Sequence, residues 1–113
     1  MTVEVYPNIY NVDVYESVVY VPAALTLVYT SEDISGSSNR AYVVDTASGP
    51  VSVLLPLNPK QGDTVEAVRY GANIATLSRN GHNINGSAQD LSLINQESAR
   101  LRYVNSAIGW IRF

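Results

Sequence analysis

The chain contains no cysteine, which excludes disulfide bonds, thiolate metal sites and thiol nucleophiles. It has a single histidine, His82, so no second imidazole supports a proton relay or a two-histidine metal site. His82 follows an Asn-Gly pair, and we interpret it as a surface turn residue. No apolar run reaches the roughly 18 residues that cross a bilayer. We therefore expect no metal, no cofactor and no membrane partner.

Signatures of catalysis are also scarce. The sequence has no Gly-x-Ser-x-Gly motif of the kind that presents a nucleophilic serine. A glycosidase needs two carboxyl groups about 5–10 Å apart, and no pair stands out among the scattered acidic residues. Asp45, Asp63 and Asp90 lie at the ends of predicted strands, where Asp commonly accepts bonds from backbone amides. The sequence predicts a protein that is not an enzyme.

Charge is sparse and uneven. The first 39 residues carry five acidic side chains and no basic one, whereas residues 40–113 carry all seven basic side chains and five acidic ones. This asymmetry is either chance placement or a sign of docking and head-to-tail contacts. The net charge of −3 argues against nucleic acid as a partner, because phosphate binding needs a clustered basic face. The chain begins without a signal-peptide pattern, which predicts synthesis in the cytoplasm.

Short β-type runs dominate residues 40–113. AYVVDT, VSVLLP and DTVEAVRY are separated by clusters of Gly, Pro, Asn and Ser, and two Asn-Gly turns and the runs ARLRYV and GWIRF follow. Leu101 and Tyr103 alternate with Arg100 and Arg102, and no stretch has a helical period. The pattern predicts an all-β domain of six to eight strands, a small antiparallel sandwich or jelly-roll-like fold.

The N-terminal region, residues 1–31, is rich in valine and tyrosine. It is acidic, and Pro7 and Pro22 divide it into short extended pieces. Tyrosine suits surfaces that become buried on assembly, since it supplies both area and a hydroxyl. We predict a docking arm or hairpin, joined by a polar linker at residues 32–39 to the domain at 40–113; the alternative is that residues 1–31 form its first two strands. The residues predicted to dock on another subunit or another protein are Tyr6, Tyr10, Tyr15, Tyr20 and Tyr29.

Two smaller groups are candidate binding sites. Arg100, Arg102 and Arg112 form the one basic cluster, which is too small for nucleic acid and is predicted to pair with acidic groups of a neighbouring subunit. Asn83 and Asn85, with Trp110 as an aromatic platform, form a candidate glycan site. The alternative is that the Asn-Gly pairs serve turns and that the tryptophan packs over the closing hairpin.

The order and spacing of five elements carry a family resemblance: AYVVDT, GPVSVLLP, PKQGDTV, SRNGHNINGSAQDLSL and LRYVNSAIGW. Residues 40–112 resemble a β-module found at the ends of bacteriophage tail fibres and in other virion-surface proteins. The chain departs from that pattern at Arg69-Tyr70, where an acidic residue is more usual, and in the connection over residues 71–78. The resemblance implies an antiparallel β-domain that commonly forms trimers on the virion.

On this basis we expect a bacteriophage structural protein. It would be a capsid decoration or head-fibre protein or a short tail-associated component, made in the host cytoplasm and located on the virion. Its expected partners are two further copies of itself, in a homotrimer, and other capsid or tail proteins. The alternative is a receptor-binding module that recognises host surface glycan; a third possibility is a small bacterial carbohydrate-binding domain.

Overall fold

The structure, a computed structural model, describes residues 25–94 and 97–113. These residues form strands and loops with no helix, so no helix among them is long and apolar enough to cross a membrane. The strands are β1 (Thr26–Thr30), β2 (Ile34–Ser35), β3 (Arg40–Asp45), β4 (Val51–Leu54), β5 (Thr64–Tyr70), β6 (Ala75–Ser78), β7 (Leu91–Leu93), β8 (Ser98–Asn105) and β9 (Gly109–Arg112). The predicted all-β fold is confirmed, and residues 40–113 hold seven strands.

The strands form two sheets, and the chain alternates between them. One sheet has five strands in the order β1-β3-β5-β8-β9, and the other has four in the order β2-β4-β6-β7. From β3 to β6 each strand pairs in parallel with the strand two places earlier in the chain, so successive strands are added to the two sheets in turn. The direction then reverses, because β7 and β8 run antiparallel to β6 and β5, and β9 returns along β8.

The sheets are therefore mixed, whereas the sequence analysis predicted antiparallel ones. The short connections after β3 and β5 were expected to lie within an antiparallel domain, but each of them carries the chain to the opposite sheet. A parallel pair needs a crossover between its strands, and here the crossover is a strand of the other sheet. Alternation of side chains is the same in both kinds of pairing, so it does not distinguish them.

The core lies between the two sheets. Inward side chains alternate with outward ones, most regularly in β8, where Ala99, Leu101 and Tyr103 are buried and Arg100 and Arg102 are exposed, as predicted. The buried apolar residues are Tyr42, Val44, Val51, Val53, Leu55, Val65, Ala67, Ala75, Leu77, Ile84, Leu93, Ala99, Leu101, Tyr103 and Trp110. Apolar burial of this kind stabilises by about 25 cal/mol per Å².

The folded domain begins earlier than predicted. Thr26–Thr30, assigned to the arm, pairs along its whole length with β3, and Ile34–Ser35, assigned to the linker, pairs with β4. The two-residue β2 was missed because so short a strand has no readable period. The rest of the predicted arm, including Tyr6, Tyr10, Tyr15 and Tyr20, lies outside the described residues.

Both predicted Asn-Gly turns are confirmed by their backbone angles. Asn80 and Gly81 have φ of 51° and 87°, and Asn85 and Gly86 have φ of 52° and 76°. Positive φ at two consecutive residues is what a type I′ turn requires.

Gly109, at φ 82°, lets β9 approach the loop that contains Asn83 very closely. A Cβ at position 109 would lie 2.1 Å from the Asn83 carbonyl oxygen.

Candidate interaction surface

The two sheets differ sharply in the faces that they turn away from the core. The outward side chains of the four-stranded sheet are mainly hydroxyl residues, and Ser52, Thr76 and Ser92 stand in one row across it. The five-stranded sheet instead carries large apolar side chains outward, which we call the apolar outer face: Leu27, Tyr29, Val68, Tyr70 and Phe113 are exposed, and Val43 is half-buried. Their exposed fractions reach 69% at Leu27 and 63% at Tyr70. Exposed apolar patches of this kind mark interaction sites.

Strand register explains why these side chains lie together. Leu27, Ala41, Glu66 and Arg100 occupy one row across β1, β3, β5 and β8, and the next row holds Tyr29, Val43, Val68 and Ser98. Phe113 extends the first row, because its amide donates to the Arg100 carbonyl oxygen at 2.9 Å. Small Ala41 stands between larger neighbours. The result is a groove of about 400 Å³, lined among others by Leu27, Ala41, Val43, Val68, Arg100 and Phe113.

Two predicted arginines meet at one side of this groove. The guanidinium carbons of Arg100 and Arg102 lie 5.1 and 4.8 Å from the centroid of the Phe113 ring, within the range of cation–π attraction. Arg100 also forms an ion pair with Glu66 at 2.9 Å. Within the described part of the chain, Arg102 has no carboxylate partner. It is a cation available to an acidic group from elsewhere.

Arg112, the third member of the predicted cluster, has a different role. It stands opposite Leu101 in the register, and its Nη2 donates to the Ser98 carbonyl oxygen at 2.6 Å. Its backbone amide donates to Oδ1 of Asn85. Arg112 thus ties the last strand to its neighbours, and it is also exposed and lines the groove with Arg100 and Phe113.

The far end of the apolar outer face carries Tyr29, Asp45 and Tyr70. Tyr29 donates its hydroxyl hydrogen to Asp45, and Asp45 faces Tyr70 across β3 and β5. The bond from Tyr29, with a second from the Ala47 amide, lowers the pKa of Asp45, and the same Tyr29–Asp45 bond raises the pKa of Tyr29. Of the five predicted docking tyrosines, Tyr29 is the one that the structure describes, and it lies on this exposed face.

The predicted glycan site does not form. Trp110 is fully buried and packs edge-on against Tyr103, with ring centroids 5.4 Å apart, so it offers no platform to a sugar. Asn83 donates to the Ala107 carbonyl oxygen, and Asn85 accepts from the Arg112 amide. The register explains the error, because Trp110 faces Tyr103 and therefore shares its inward direction.

His82 is more than a surface turn residue. It is half-buried, its Nε2 lies 2.7 Å from the Leu57 carbonyl oxygen, and its ring meets Tyr103 edge-on. The ring fastens the loop before β7 to the connection between β4 and β5. No group of three potential metal ligands occurs among the described residues.

The sequence analysis missed Arg69, which points into the core. Its exposed fraction is 9%; Nη1 donates to the Asn73 carbonyl oxygen at 2.9 Å, while Nε is buried without a partner in the described structure. Alternation along β5 could have revealed it, because Val65, Ala67 and Arg69 share one direction. Arg69 is not aimed at the apolar outer face.

Comparisons with known proteins add no assignment. No protein-family model matches the chain, and no curated protein matches it.

Proposed function

We propose that this protein is a bacteriophage structural component, either a capsid decoration or head-fibre protein or a short tail-associated piece. In this proposal it assembles as a homotrimer and attaches to other virion proteins through its N-terminal region. One observation carries the assembly part: the five-stranded sheet exposes Leu27, Val68, Tyr70 and Phe113, whereas the strands of the four-stranded sheet expose mainly hydroxyl groups, with Leu54 as their exposed apolar side chain. The virion part is supported by the order of motifs in residues 40–112.

The proposed mechanism is burial of surface between subunits. Aromatic and arginine side chains are enriched where protein interfaces are strongest, and the apolar outer face supplies both kinds around Phe113. Each contact that forms only between folded copies also stabilises the fold by mass action. No chemical step is needed, and none of the described residues forms a metal-ligand cluster.

The test is the composition of purified particles. Phage particles produced from the genome that encodes this chain would be analysed by mass spectrometry and by immunogold electron microscopy. We expect the chain at a fixed copy number per particle, in a multiple of three, with label at one location. Particles that lack the chain would overturn the proposal.

A second candidate, host-glycan recognition, draws on one observation. Tyr29 and Tyr70 are both more than 60% exposed and stand beside the Asp45 carboxylate. An aromatic face beside a charged acceptor suits a sugar ring and its hydroxyl groups. A glycan array probed with the wild-type chain and with the Tyr70→Ala variant would reveal such binding. A signal lost in the variant would favour this candidate, and no signal with either chain would remove it.

A further inference from the structure

We propose that the groove on the apolar outer face is the acceptor for residues 1–24 of a second copy of this chain. The inference rests on the proposed function, because it names the partner that covers this face when copies assemble. The groove holds about 400 Å³ and has Ala41, Val43 and Val68 among its lining residues. Such a channel across a sheet suits an extended peptide.

The composition of residues 1–24 complements this groove. The segment contains three acidic residues and no basic one. Arg100, Arg112 and Phe113 line the groove, and Arg102 contacts the Phe113 ring at its rim. Glu66 pairs with Arg100, which leaves the charge of Arg102 without a carboxylate within the described residues. Complementary charge of this kind selects a partner and fixes its register.

The apolar pattern of the segment fits as well. Val-Glu-Val-Tyr occurs at residues 3–6, and Val-Asp-Val-Tyr occurs at residues 12–15. In an extended peptide the two valines of each motif share one side, with the acidic residue between them on the other. If the two valines contact the groove floor, the acidic side chain between them points the opposite way, to the level of the rim where the guanidinium groups lie.

The direction of β1 favours a second copy over the same chain. β1 begins at Thr26, at the end of the sheet. A tight reversal within residues 21–25, Val-Pro-Ala-Ala-Leu, would have no Gly, Asn or Asp and would depend on Pro22 alone, so we choose a second copy as the source of the segment. A segment that leaves one copy and enters the next is a heterologous contact, which gives a ring such as the proposed trimer where its rotation closes.

Charge reversal on each side tests the contact. Arg102→Glu makes the groove rim acidic, and Glu4→Lys with Asp13→Lys and Glu16→Lys makes the segment basic. Each variant alone repels its own kind, and we expect its assembly to weaken at least about tenfold, measured by light scattering of the full chain. Lys60→Glu, an equal charge change at an exposed loop residue, is the control and is expected to assemble normally.

Mixing the two variants identifies the source of the segment. Between copies, the acidic segment of one variant fits the basic groove of the other, and the reverse pairing also fits. In a ring of three, two of the contacts are then complementary and one stays mismatched, so the mixture should associate more strongly than either variant does alone. Normal assembly of either variant alone would overturn the inference. So would a mixture that stays dissociated although circular dichroism shows that each chain is folded. This readout needs only purified chain, so it fails or succeeds independently of whether the protein is found on particles.

A disulfide measures the same contact without altering charge. Because the chain has no cysteine, Ala41→Cys in the groove and Val14→Cys in the segment form a defined pair. We expect cross-linking between copies on a non-reducing gel, and none when Ser52→Cys, on the opposite sheet, replaces the groove cysteine. A bond within one chain, or no bond from a series of segment cysteines at positions 3, 5, 12 and 14, would contradict the proposal.

Discussion

The outward faces of the two sheets have the same backbone geometry and opposite chemistry. On the four-stranded sheet, Ser52, Thr76 and Ser92 form a row of hydroxyl groups that water satisfies as well as protein does. On the five-stranded sheet, Val68 and Tyr70 leave apolar area in solvent. The inward faces of the two sheets already form the core. The apolar outer face is therefore exposed in the isolated chain, and it is our candidate for the assembly surface.

The largest predicted effect tests whether both sheets share one core. Trp110 is fully buried between them, and Trp110→Ala should lower the free energy of unfolding by about 3–5 kcal/mol, from lost burial and a cavity. Urea denaturation measures it, with Trp110→Phe as a milder control. A loss below about 1 kcal/mol would mean that Trp110 is not a core residue.

The next prediction compares the two outward faces directly. Val68→Glu places a charge on the apolar outer face and should weaken association by about 2 kcal/mol or more, because it desolvates a carboxylate in the interface. Thr76→Glu makes the same charge on the hydroxyl face and should leave association unchanged. The measurement is solution mass against concentration, and equal effects of the two substitutions would remove the distinction between the faces.

A smaller effect compares the two sides of β5. Arg69 points inward with a buried, unpartnered Nε, so Arg69→Met should raise the free energy of unfolding by about 1 kcal/mol and leave association unaltered. Thermal unfolding gives the shift, and Arg69→Ala, which leaves a cavity, should destabilise. If the methionine variant is as unstable as the alanine variant, the Arg69 guanidinium makes a stabilising interaction beyond its bond to Asn73.

The smallest effect concerns pH at the Tyr29 end of the apolar outer face. The pKa of Asp45 is lowered from its ordinary 3.8, so the stability it contributes is present above about pH 4 and is lost as pH falls through the lower folded value. The pKa of Tyr29 is raised from 10.0, so its contribution is present below that value and is lost as pH rises through the folded pKa. Tyr29→Phe should remove part of both dependences in unfolding measured across pH. Identical profiles for the variant and the wild type would show that the bond contributes nothing.

The sequence predicted those features that depend on local pattern. Alternation placed Leu101 and Arg102 on opposite faces correctly, and the Asn-Gly pairs gave two turns with positive φ. The parallel winding could not be predicted, because alternation is equal in both pairings and the short connections gave no sign that they change sheet. Trp110 was assigned to a glycan platform for a related reason: its inward direction depends on the register with β8, which is a tertiary property.

The candidate surface was predicted only in part. Arg100 and Arg102 were expected to pair with acidic groups of a neighbouring subunit, which stays a prediction; the structure places both beside Phe113. The groove itself arises from Leu27 and Ala41, two residues that are far from Phe113 in sequence and that join its row only through the strand order β1-β3-β5-β8. Residues this distant become neighbours through topology, which local periodicity does not encode.

The most direct test of an assembly role for the apolar outer face is the thiol labelling rate of two single-cysteine variants of the full chain, Val68→Cys and Thr76→Cys. In the isolated structure Val68 is exposed and Thr76 is half-buried, so free chains should label Val68→Cys at least as fast. If the face is an interface, Val68→Cys labels at least about tenfold more slowly than Thr76→Cys at high protein concentration and speeds up on dilution. A Val68→Cys rate that is fast at every concentration would contradict the account.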